Sequence, residues 1–196
     1  MRRLVEARPP VDMDLVASIA RAVRVDTFAA KGRGFLVSPL SADEYANRIA
    51  NGYTIHLLMQ GDSPVGMVSG IRSENLTRPD RPTSTLPAVH AFIRDYCQRE
   101  AIAHYFVLAQ LAVLPDHQNH GHGAAFLHLL LKDVARPVFI DVLERPLENP
   151  RLRWWRAQGF TRIGDVPEVL PADRPVFGSR ELTWGIYMHT GMSFPE

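Results

Sequence analysis

The chain has 196 residues, of which 46% are hydrophobic and 22% charged; these values exclude a disordered or fibrous protein and favour a single packed domain over residues 1–196. The 22 basic residues are nearly cancelled by 21 acidic ones, so the sequence predicts no nucleic-acid partner and no membrane surface as a partner. We expect a cytoplasmic protein, because the sequence has one cysteine, an N-terminus without the apolar core of a signal peptide and no run of about 20 apolar residues.

The N-terminal part of the chain predicts one strand and two helices. "RRLVEARPP" is typical of an edge strand, and "VDMDLVASIARAVRVDTFA" has apolar residues at helical spacing, with Asp12 or Asp14 as a cap. Ser41 and Glu44 match a capping box, in which each side chain accepts a hydrogen bond from the backbone of the other residue. We therefore expect a second short helix that begins after Ser41 and ends at Gly52.

A hairpin and an inserted helix are predicted next. "YTIHLLMQ" and "VGMVSGIR" are two strand-like runs joined by the turn sequence "GDSP". The polar, proline-rich "SENLTRPDRPTST" is expected to be a loop. From Pro87, apolar residues recur at helical spacing, and proline suits the first position of a helix. Residues 73–100 are therefore predicted to be a loop and a helix inserted between two strands.

The second half of the chain alternates strands and helices. "HYFVLAQLAVL" is typical of a central strand, and "GAAFLHLLLKDVA" is apolar almost all round, so its helix should be buried on more than one side. "PVFIDVL" predicts a strand, residues 150–158 a short helix, and "TRIGDVPEV" and "RELTWGIYMHTGM" two closing strands. The order predicts a mixed α/β fold without internal repeats.

Three histidines lie in "LPDHQNHGHGAAF", between the central strand and the apolar helix. His117, His120 and His122 could bind zinc, with Asp116 as an oxygen ligand. Their spacing is poor for a metal, because His120 and His122 would point in different directions at the first helical turn and have no i, i+4 partner. We expect solvated histidines and no metal, with a metal-binding protein as an alternative.

The backbone of the same segment favours a phosphate site. The first turn of a helix has about four N–H groups without intrahelical partners and a partial positive charge, so it attracts anions. Gly121 and Gly123 would let the chain approach a phosphate without an obstructing Cβ. The segment lacks the Lys and Ser/Thr of a nucleoside-triphosphate P-loop, and Phe126 replaces the third small residue of the dinucleotide fingerprint.

The wider segment resembles the coenzyme A motif of the GCN5-related N-acetyltransferase (GNAT) superfamily. That motif is Gln or Arg, two residues, Gly, one residue, then Gly or Ala, and this chain has Gln118, Gly121 and Gly123 in those places. "NPRLRWWRAQGF" is similar to the family's Asn-led helix, with Trp155 at the aromatic position four places before Gly159. The resemblance covers residues 106–160 and implies the family's central mixed β-sheet flanked by helices.

The resemblance implies an N-acetyltransferase that uses acetyl-CoA as co-substrate and transfers the acetyl group directly to an amine. Amides of residues 118–124 would hold the pyrophosphate, and the backbone of residues 111–113 would pair with the pantetheine arm. Asn149 would contact the coenzyme or cap its helix. The implied coenzyme-binding residues are Leu111, Ala112, Val113, Gln118, Asn119, His120, Gly121, His122, Gly123, Ala124, Asn149 and Trp155.

The acceptor pocket implied by the resemblance involves Phe28, Phe35 and Tyr105. We expect a small-molecule amine as the acceptor, because the near-neutral charge offers no docking patch for a basic protein tail. A homodimer is also consistent with the resemblance.

The catalytic residues are unknown at this stage, because the chain departs from the family pattern. Trp155 stands where many members have a tyrosine that protonates the leaving thiolate. Some members have a glutamate base in the strand before the loop, but between Tyr105 and Leu114 the only polar side chain besides the tyrosine is Gln110, which cannot accept a proton. His122 stands where the family has an aliphatic residue, so it should disturb the helix or face solvent. Candidate bases by residue type alone are Tyr105, His104, His56 and His189. The alternative function is a non-catalytic acyl-CoA sensor of the same fold.

Overall fold

The computed structural model describes residues 1–23, 40–76, 87–146, 149, 151–170 and 179–191. The strands are β1 (Arg2–Glu6), β2 (Tyr53–Gln60), β3 (Ser63–Arg72), β4 (Phe106–Val113), β5 (Val138–Arg145), β6 (Thr161–Val169) and β7 (Glu181–His189). The helices are α1 (Met13–Arg21), α2 (Ala42–Ala50), α3 (Ser73–Leu76), α4 (Pro87–Arg99), α5 (His122–Val134) and α6 (Leu152–Ala157). The predicted order is confirmed, except that α3 is a helical turn where a loop was expected.

The described strands form one 7-stranded sheet in the order β1-β2-β3-β4-β5-β7-β6. β4 and β5 are parallel, and all other neighbours are antiparallel. The β2–β3 hairpin turns at Gly61, whose φ of 60° costs glycine no steric penalty. A parallel pair needs a long connection, and α5 lies in the one between β4 and β5. The predicted mixed sheet flanked by helices is confirmed.

Alternating residues of β5 point to opposite faces of the sheet, and helices cover both faces. Phe139 and Leu143 belong to a buried cluster that includes residues of α1, α2 and α4. Ile140 and Val142 belong to a second cluster with residues of α5 and α6. We call these sides the α2 face and the α5 face. Burying one such large apolar side chain stabilises the fold by about 1.5–3 kcal/mol, which holds the helices on the sheet.

Helix α5 is buried along a single stripe. Its buried residues include Phe126, Leu130 and Val134, which recur at intervals of four, while Lys132 and Asp133 are exposed. The expectation of burial on more than one side is therefore wrong, because α5 lies on the surface of the sheet with one side in solvent. No helix in the described ranges is both long enough and apolar enough to cross a membrane.

The predicted capping box at the start of α2 is confirmed. The Ser41 hydroxyl accepts a hydrogen bond from the Glu44 N–H at 3.3 Å, and the Glu44 carboxylate accepts one from the Ser41 N–H at 2.7 Å. Asp12 is the N-cap of α1, but its carboxylate accepts from the Arg8 N–H at 2.9 Å instead of from the helix. The box determines where α2 begins and hence how Tyr45 meets the sheet.

Candidate active site

The parallel strands β4 and β5 separate along most of their length. In the described sheet their last pair is Val107 with Phe139, although β4 continues to Val113 and β5 to Arg145. β4 is supported on its other side by β3, and β5 by β7, so a wedge-shaped gap opens between two well-supported strands. The backbone of β4 beside the gap is equivalent to a sheet edge, which pairs readily with an extended ligand.

A bulge in β4 lies where the gap begins. Ser69 of β3 opposes Gln110, whereas the next residue, Gly70, opposes Leu108, so Ala109 is an extra residue in β4. A bulge bends its strand and increases the local twist. It therefore helps to turn the second half of β4 away from β5.

The loop after β4 leads to the N-terminus of α5 at the mouth of the gap. Gly121 is the N-cap of α5 with a φ of 72°, and Asn119 has a φ of 64°. Glycine adopts this left-handed conformation freely, and asparagine tolerates it. Gly121 has no side chain that could cap the first N–H groups of α5. A Cβ built on Gly121 meets no atom within 4 Å, so there is open space beside these groups.

Polar and positively charged side chains surround this N-terminus. Arg2 donates to the carbonyl of His120 at 3.2 Å. Gln118 Nε2 donates to the Val113 carbonyl at 2.9 Å, and Arg151 Nη2 donates to Gln118 Oε1 at 3.4 Å. The bonds tie the loop to β1, to the end of β4 and to the start of α6. Both guanidinium groups add to the partial positive charge of the helix N-terminus and so favour an anion there.

The three histidines of the loop lie near one another, but not in a metal-binding arrangement. Among the residues that the structure describes, no group of three or more His, Cys, Asp or Glu could hold a metal ion. The rings of His117 and His120 have centroids 6.0 and 6.2 Å from that of His122. His122 is buried and its ring stacks on Phe126, so the expectation that it disturbs the helix or faces solvent is wrong. Burial lowers the pKa of His122 and favours its neutral form.

Helix α6 borders the loop on the other side of the gap. Trp154 lies beside Gly123, since a Cβ on Gly123 would approach its ring to 3.4 Å. Asn149 Oδ1 accepts from the Arg151 N–H at 3.0 Å, so Asn149 makes a capping contact at the start of α6. This was one of the two roles that the sequence left open for Asn149.

The structure brings together the residues that the resemblance implied for the coenzyme. Residues 111–113 lie in the separated part of β4, and residues 118–124 form the loop and the first turn of α5. Trp155 lies on α6, where its ring packs edge-on against Phe160 with centroids 5.2 Å apart. The coenzyme contacts of these residues stay predictions.

A buried polar cluster lies on the α2 face beside the bulge. Tyr45 of α2 donates its hydroxyl hydrogen to Gln110 Oε1 at 2.9 Å, and the Ser69 hydroxyl lies 3.4 Å from the same oxygen. Burial raises the pKa of Tyr45 to about 12, so the hydroxyl stays protonated. Gln110 therefore anchors α2 to the point where β4 leaves β5.

Asp141 of β5 lies on the α2 face at the start of the gap, two residues beyond Phe139. Its side chain keeps part of its surface exposed, while the neighbouring Ile140 and Val142 are buried. Burial raises the pKa of Asp141 to about 6. Partial exposure together with strong desolvation is what a carboxyl group at the bottom of a cleft shows.

Other ionisable side chains lie in the same part of the α2 face. Glu168 Oε2 accepts from the indole N–H of Trp184 at 2.7 Å. The Arg48 guanidinium lies 5.0 Å from the centre of the Tyr53 ring. Burial, with the charge of Arg48, lowers the pKa of His90 to about 4, so His90 is neutral near pH 7.

Comparison with known proteins decides the fold family. No family model and no curated protein matches the sequence. The ribosomal-protein-S18-alanine N-acetyltransferase of Escherichia coli matches the structure with a TM-score of 0.63 and 14% identity, covering 100% of this chain and 97% of that one. A Desulfovibrio desulfuricans protein assigned as a GNAT-family acetyltransferase matches with a TM-score of 0.57 and 18% identity, covering 97% and 99%. The protein has the GNAT fold.

The GNAT resemblance inferred from the sequence is thus confirmed by structure. An aminoglycoside 6'-N-acetyltransferase in complex with coenzyme A also matches, with a TM-score of 0.56, 14% identity and coverage of 100% and 99%. The names of these GNAT neighbours point to acceptors as different as a ribosomal protein and an aminoglycoside. The GNAT fold therefore leaves the acceptor to be argued from the residues of this chain.

Of the candidate bases named from the sequence, the three histidines lie away from the start of the gap, whereas the Tyr105 ring packs edge-on against Phe139 with centroids 5.4 Å apart. His104 is exposed and Tyr105 is buried, and both precede β4 at the end where β4 and β5 stay paired. His56 lies on β2, three strands from β5. His189 pairs with β5 at its closed end. Phe28 and Phe35, proposed with Tyr105 for the acceptor pocket, lie outside the described residues.

Sequence reasoning missed the residues that gather on the α2 face of this GNAT fold. Asp141 had one visible signal, because it is the lone carboxylate in the apolar run "PVFIDVL". Tyr45, Arg48, His90 and Glu168 had none, since they belong to α2, α4 and β6 and match no local motif.

Proposed function

We propose that the protein is an acetyl-CoA-dependent N-acetyltransferase that transfers the acetyl group directly to an amine of a small molecule. The observation that carries this proposal is the gap between β4 and β5, which leads to the N-terminus of α5. Unpaired strand backbone suits an extended arm that contains amides, and a helix N-terminus suits a diphosphate. Acetyl-CoA has both parts joined in one molecule.

The loop after β4 supports the diphosphate end of this proposal. The bond from Gln118 to the Val113 carbonyl holds the loop against the end of β4. The space beside Gly121 is open, and Arg2 and Arg151 supply positive charge nearby. Each feature favours a bound anion, and none needs a side chain to chelate it.

Direct transfer is supported by the state of Cys97. A covalent acyl-enzyme needs an accessible nucleophile with a thiolate or an activated hydroxyl. Cys97 is buried, and burial raises the pKa of its thiol to about 11, so it stays protonated. The chain has no other cysteine. The acceptor nitrogen would therefore attack the thioester carbonyl in a ternary complex, with a backbone N–H at the head of the gap polarising that carbonyl.

The α2 face supports a small, positively charged acceptor. Asp141 and Glu168 place two carboxyl groups on this face, which attract a protonated amine. Much of the remaining α2 face is apolar core. A net charge of +1 gives the chain no overall excess of acidic charge that would attract a basic protein tail.

Thermal unfolding with and without acetyl-CoA tests the coenzyme half of the proposal. A ligand that binds only the native state at about 100 times its Kd stabilises it by about 2.7 kcal/mol and raises the melting temperature. We expect this rise with acetyl-CoA and none with zinc chloride. A rise with zinc and none with millimolar acetyl-CoA would contradict the proposal.

Release of coenzyme A thiol from acetyl-CoA, measured with tyramine and with spermidine, tests the transfer half. We expect amine-dependent release and an acetylated product detected by mass spectrometry. Binding of acetyl-CoA without any release would instead favour the acyl-CoA sensor. Trp155, which packs against Phe160 and stands where many GNAT members have a tyrosine, is the observation that favours that second candidate.

A further inference from the structure

We propose that Asp141 is the catalytic base that accepts the proton of the attacking amine, an inference that rests on the proposed function. Asp141 is the second residue of β5 after the last pair with β4, so it lies at the narrow end of the gap. An acyl arm lying in the gap would bring its carbonyl toward this end, because the proposed site of the coenzyme diphosphate is the wide end at α5.

The direction of the side chain follows from the alternation of β5. Phe139 and Leu143 point to the α2 face, so Asp141 points there too. Ile140 and Val142 point to the α5 face, which carries the helix of the diphosphate site. A carbonyl in the gap would therefore have the coenzyme on one face of the sheet and Asp141, with the acceptor, on the other.

The opposite wall of the gap is supported at this level by a contact with α2. Two residues after Val107 on β4 lies the bulge, where Gln110 is held by Tyr45 at 2.9 Å. Asp141 itself pairs with Ile186 of β7, which is fully buried. Both walls of the gap are thus supported by neighbouring elements, β4 by α2 and β5 by β7.

The electrostatic surroundings of Asp141 suit proton transfer near neutral pH. Burial raises its pKa to about 6, the Arg48 charge opposes this rise and the Glu168 charge adds to it. Tyr53 of β2 also interacts electrostatically with Asp141. His90 of α4 lies near Arg48. A carboxylate with a raised pKa is ionised near pH 7 and is still a stronger base than an ordinary one.

Other described titratable groups of this face are less suited to the role. Burial raises the pKa of Tyr105 and that of Tyr53, so both hydroxyls stay protonated. Tyr45 has a pKa of about 12 and donates to Gln110. His90 has a pKa of about 4, which makes it a weak base. Glu168 already accepts the N–H of Trp184.

The ammonium group of the bound amine first loses one proton to water, which frees the lone pair of its nitrogen. This nitrogen attacks the thioester carbon, and Asp141 takes the second proton that the nitrogen loses as the C–N bond forms. The C–S bond then breaks with its electron pair staying on sulfur, and the thiolate takes a proton from water. Asp141 afterwards releases its proton to solvent, which returns the site to its starting state.

The test compares wild type, Asp141→Asn, Asp141→Glu and the matched control Asp133→Asn, an exposed carboxylate at the end of α5. Each variant is assayed for acetyl-CoA affinity by calorimetry and for thiol release with tyramine, with spermidine and with water alone, between about pH 5 and about pH 9. We expect Asp141→Asn to keep its acetyl-CoA Kd within about twofold and to lose about 100-fold or more in kcat. We expect Asp133→Asn to behave as wild type.

The pH profile separates a base from a structural residue. Wild-type kcat/KM should fall about tenfold per pH unit below a pKa of about 6, and Asp141→Asn should lack this acid limb. Asp141→Glu should retain the acid limb of the pH profile. Its affinity for acetyl-CoA shows that the variant is folded.

The outcomes distinguish this inference from the proposed function. Turnover of Asp141→Asn equal to that of wild type, with the acid limb intact, would overturn the role of Asp141 alone. Coenzyme binding by wild type without thiol release to any of the three nucleophiles would also overturn it and leave the coenzyme site standing. Absence of acetyl-CoA binding by wild type would overturn the proposed function and this inference together.

Discussion

Tyr45 in α2 donates its hydroxyl hydrogen to Oε1 of Gln110 in β4 at 2.9 Å, so a helix 65 residues earlier in the chain is bonded to the bulge of the central strand. Both residues are buried. The bond couples the capping box of α2 to the start of the gap, because the box sets where α2 begins. The shape of the candidate active site therefore depends on a contact between two distant segments.

We expect Tyr45→Phe to lower the free energy of unfolding by about 1–2 kcal/mol, because the buried Gln110 Oε1 loses the shorter of its two hydrogen bonds. Urea unfolding measures this change. Tyr96→Phe is the matched control, since Tyr96 packs edge-on against Phe139 at 6.1 Å and none of the described hydrogen bonds uses its hydroxyl. Equal losses in the two variants would contradict the role of the Tyr45–Gln110 bond.

The coenzyme loop makes a prediction about backbone conformation. Gly121→Val should abolish acetyl-CoA binding, because a β-branched residue resists the φ of 72° at the N-cap and fills the open space beside it. Gly121→Asn should keep the loop conformation, since asparagine tolerates left-handed backbone. Isothermal calorimetry with acetyl-CoA measures both variants.

The two Gly121 variants separate the effect of backbone strain at this position from that of a side chain colliding with the bound phosphate. Weakened binding in Gly121→Asn with normal stability would assign the loss to the side chain in the open space. Full affinity in Gly121→Val would show that the phosphate lies elsewhere.

The histidines of the loop should differ in their effects. His117→Ala should leave acetyl-CoA affinity within about twofold, because the proposed anion contacts are backbone N–H groups. His122→Ala should lower the free energy of unfolding by about 1–3 kcal/mol, because His122 is buried and stacks on Phe126. Calorimetry and denaturant unfolding check the two results. A zinc-dependent rise in melting temperature that His117→Ala removes would instead support the metal alternative.

Asp141 makes a prediction about stability that is independent of activity. Its pKa is raised from 3.8 to about 6 in the folded state, so ionisation opposes folding. Stability is lost as the pH rises from the unfolded pKa to the folded one, and the cost persists above about pH 6. The cost is at most about 3 kcal/mol, from a shift of about 2 pKa units.

Asp141→Asn should therefore gain stability relative to wild type between about pH 4 and about pH 8, by up to about 3 kcal/mol. Urea unfolding at the two pH values measures the gain. Asp133→Asn should show no such gain, because Asp133 is exposed. If Asp141→Asn and wild type lose stability in parallel over this range, the carboxyl group is not held in a desolvated site.

The secondary structure was largely predictable because its signals are local. Ser41 and Glu44 are three residues apart, and the predicted box forms as expected. The wrong predictions also concern local interactions, in which two arrangements of the same residues compete. The Asp12 carboxylate bonds to Arg8 rather than to the helix, and α3 forms where polar residues suggested only a loop. Such contacts differ by about 1 kcal/mol, which sequence patterns cannot rank.

The two halves of the candidate site differed in how far the sequence could predict them. The coenzyme half is one continuous segment, since residues 118–124 provide both the loop and the first turn of α5, and its motif was visible. The burial of His122 could not be predicted from the sequence. Its burial follows from its stacking on Phe126 and from the packing of α5 on the sheet, where α5 also contacts β1.

By itself the sequence determined the order of the elements, the mixed α/β fold and the segment that resembles a coenzyme A motif, because hydrophobic period, caps and glycine spacing act over a few residues. Tertiary structure alone decided that β4 and β5 part after Val107 and Phe139. It also decided that the charges of Arg48 and Glu168 act on Asp141. The physical reason is that strand order and packing bring together groups far apart in the chain, and desolvation, which depends on all of them at once, then changes their chemistry.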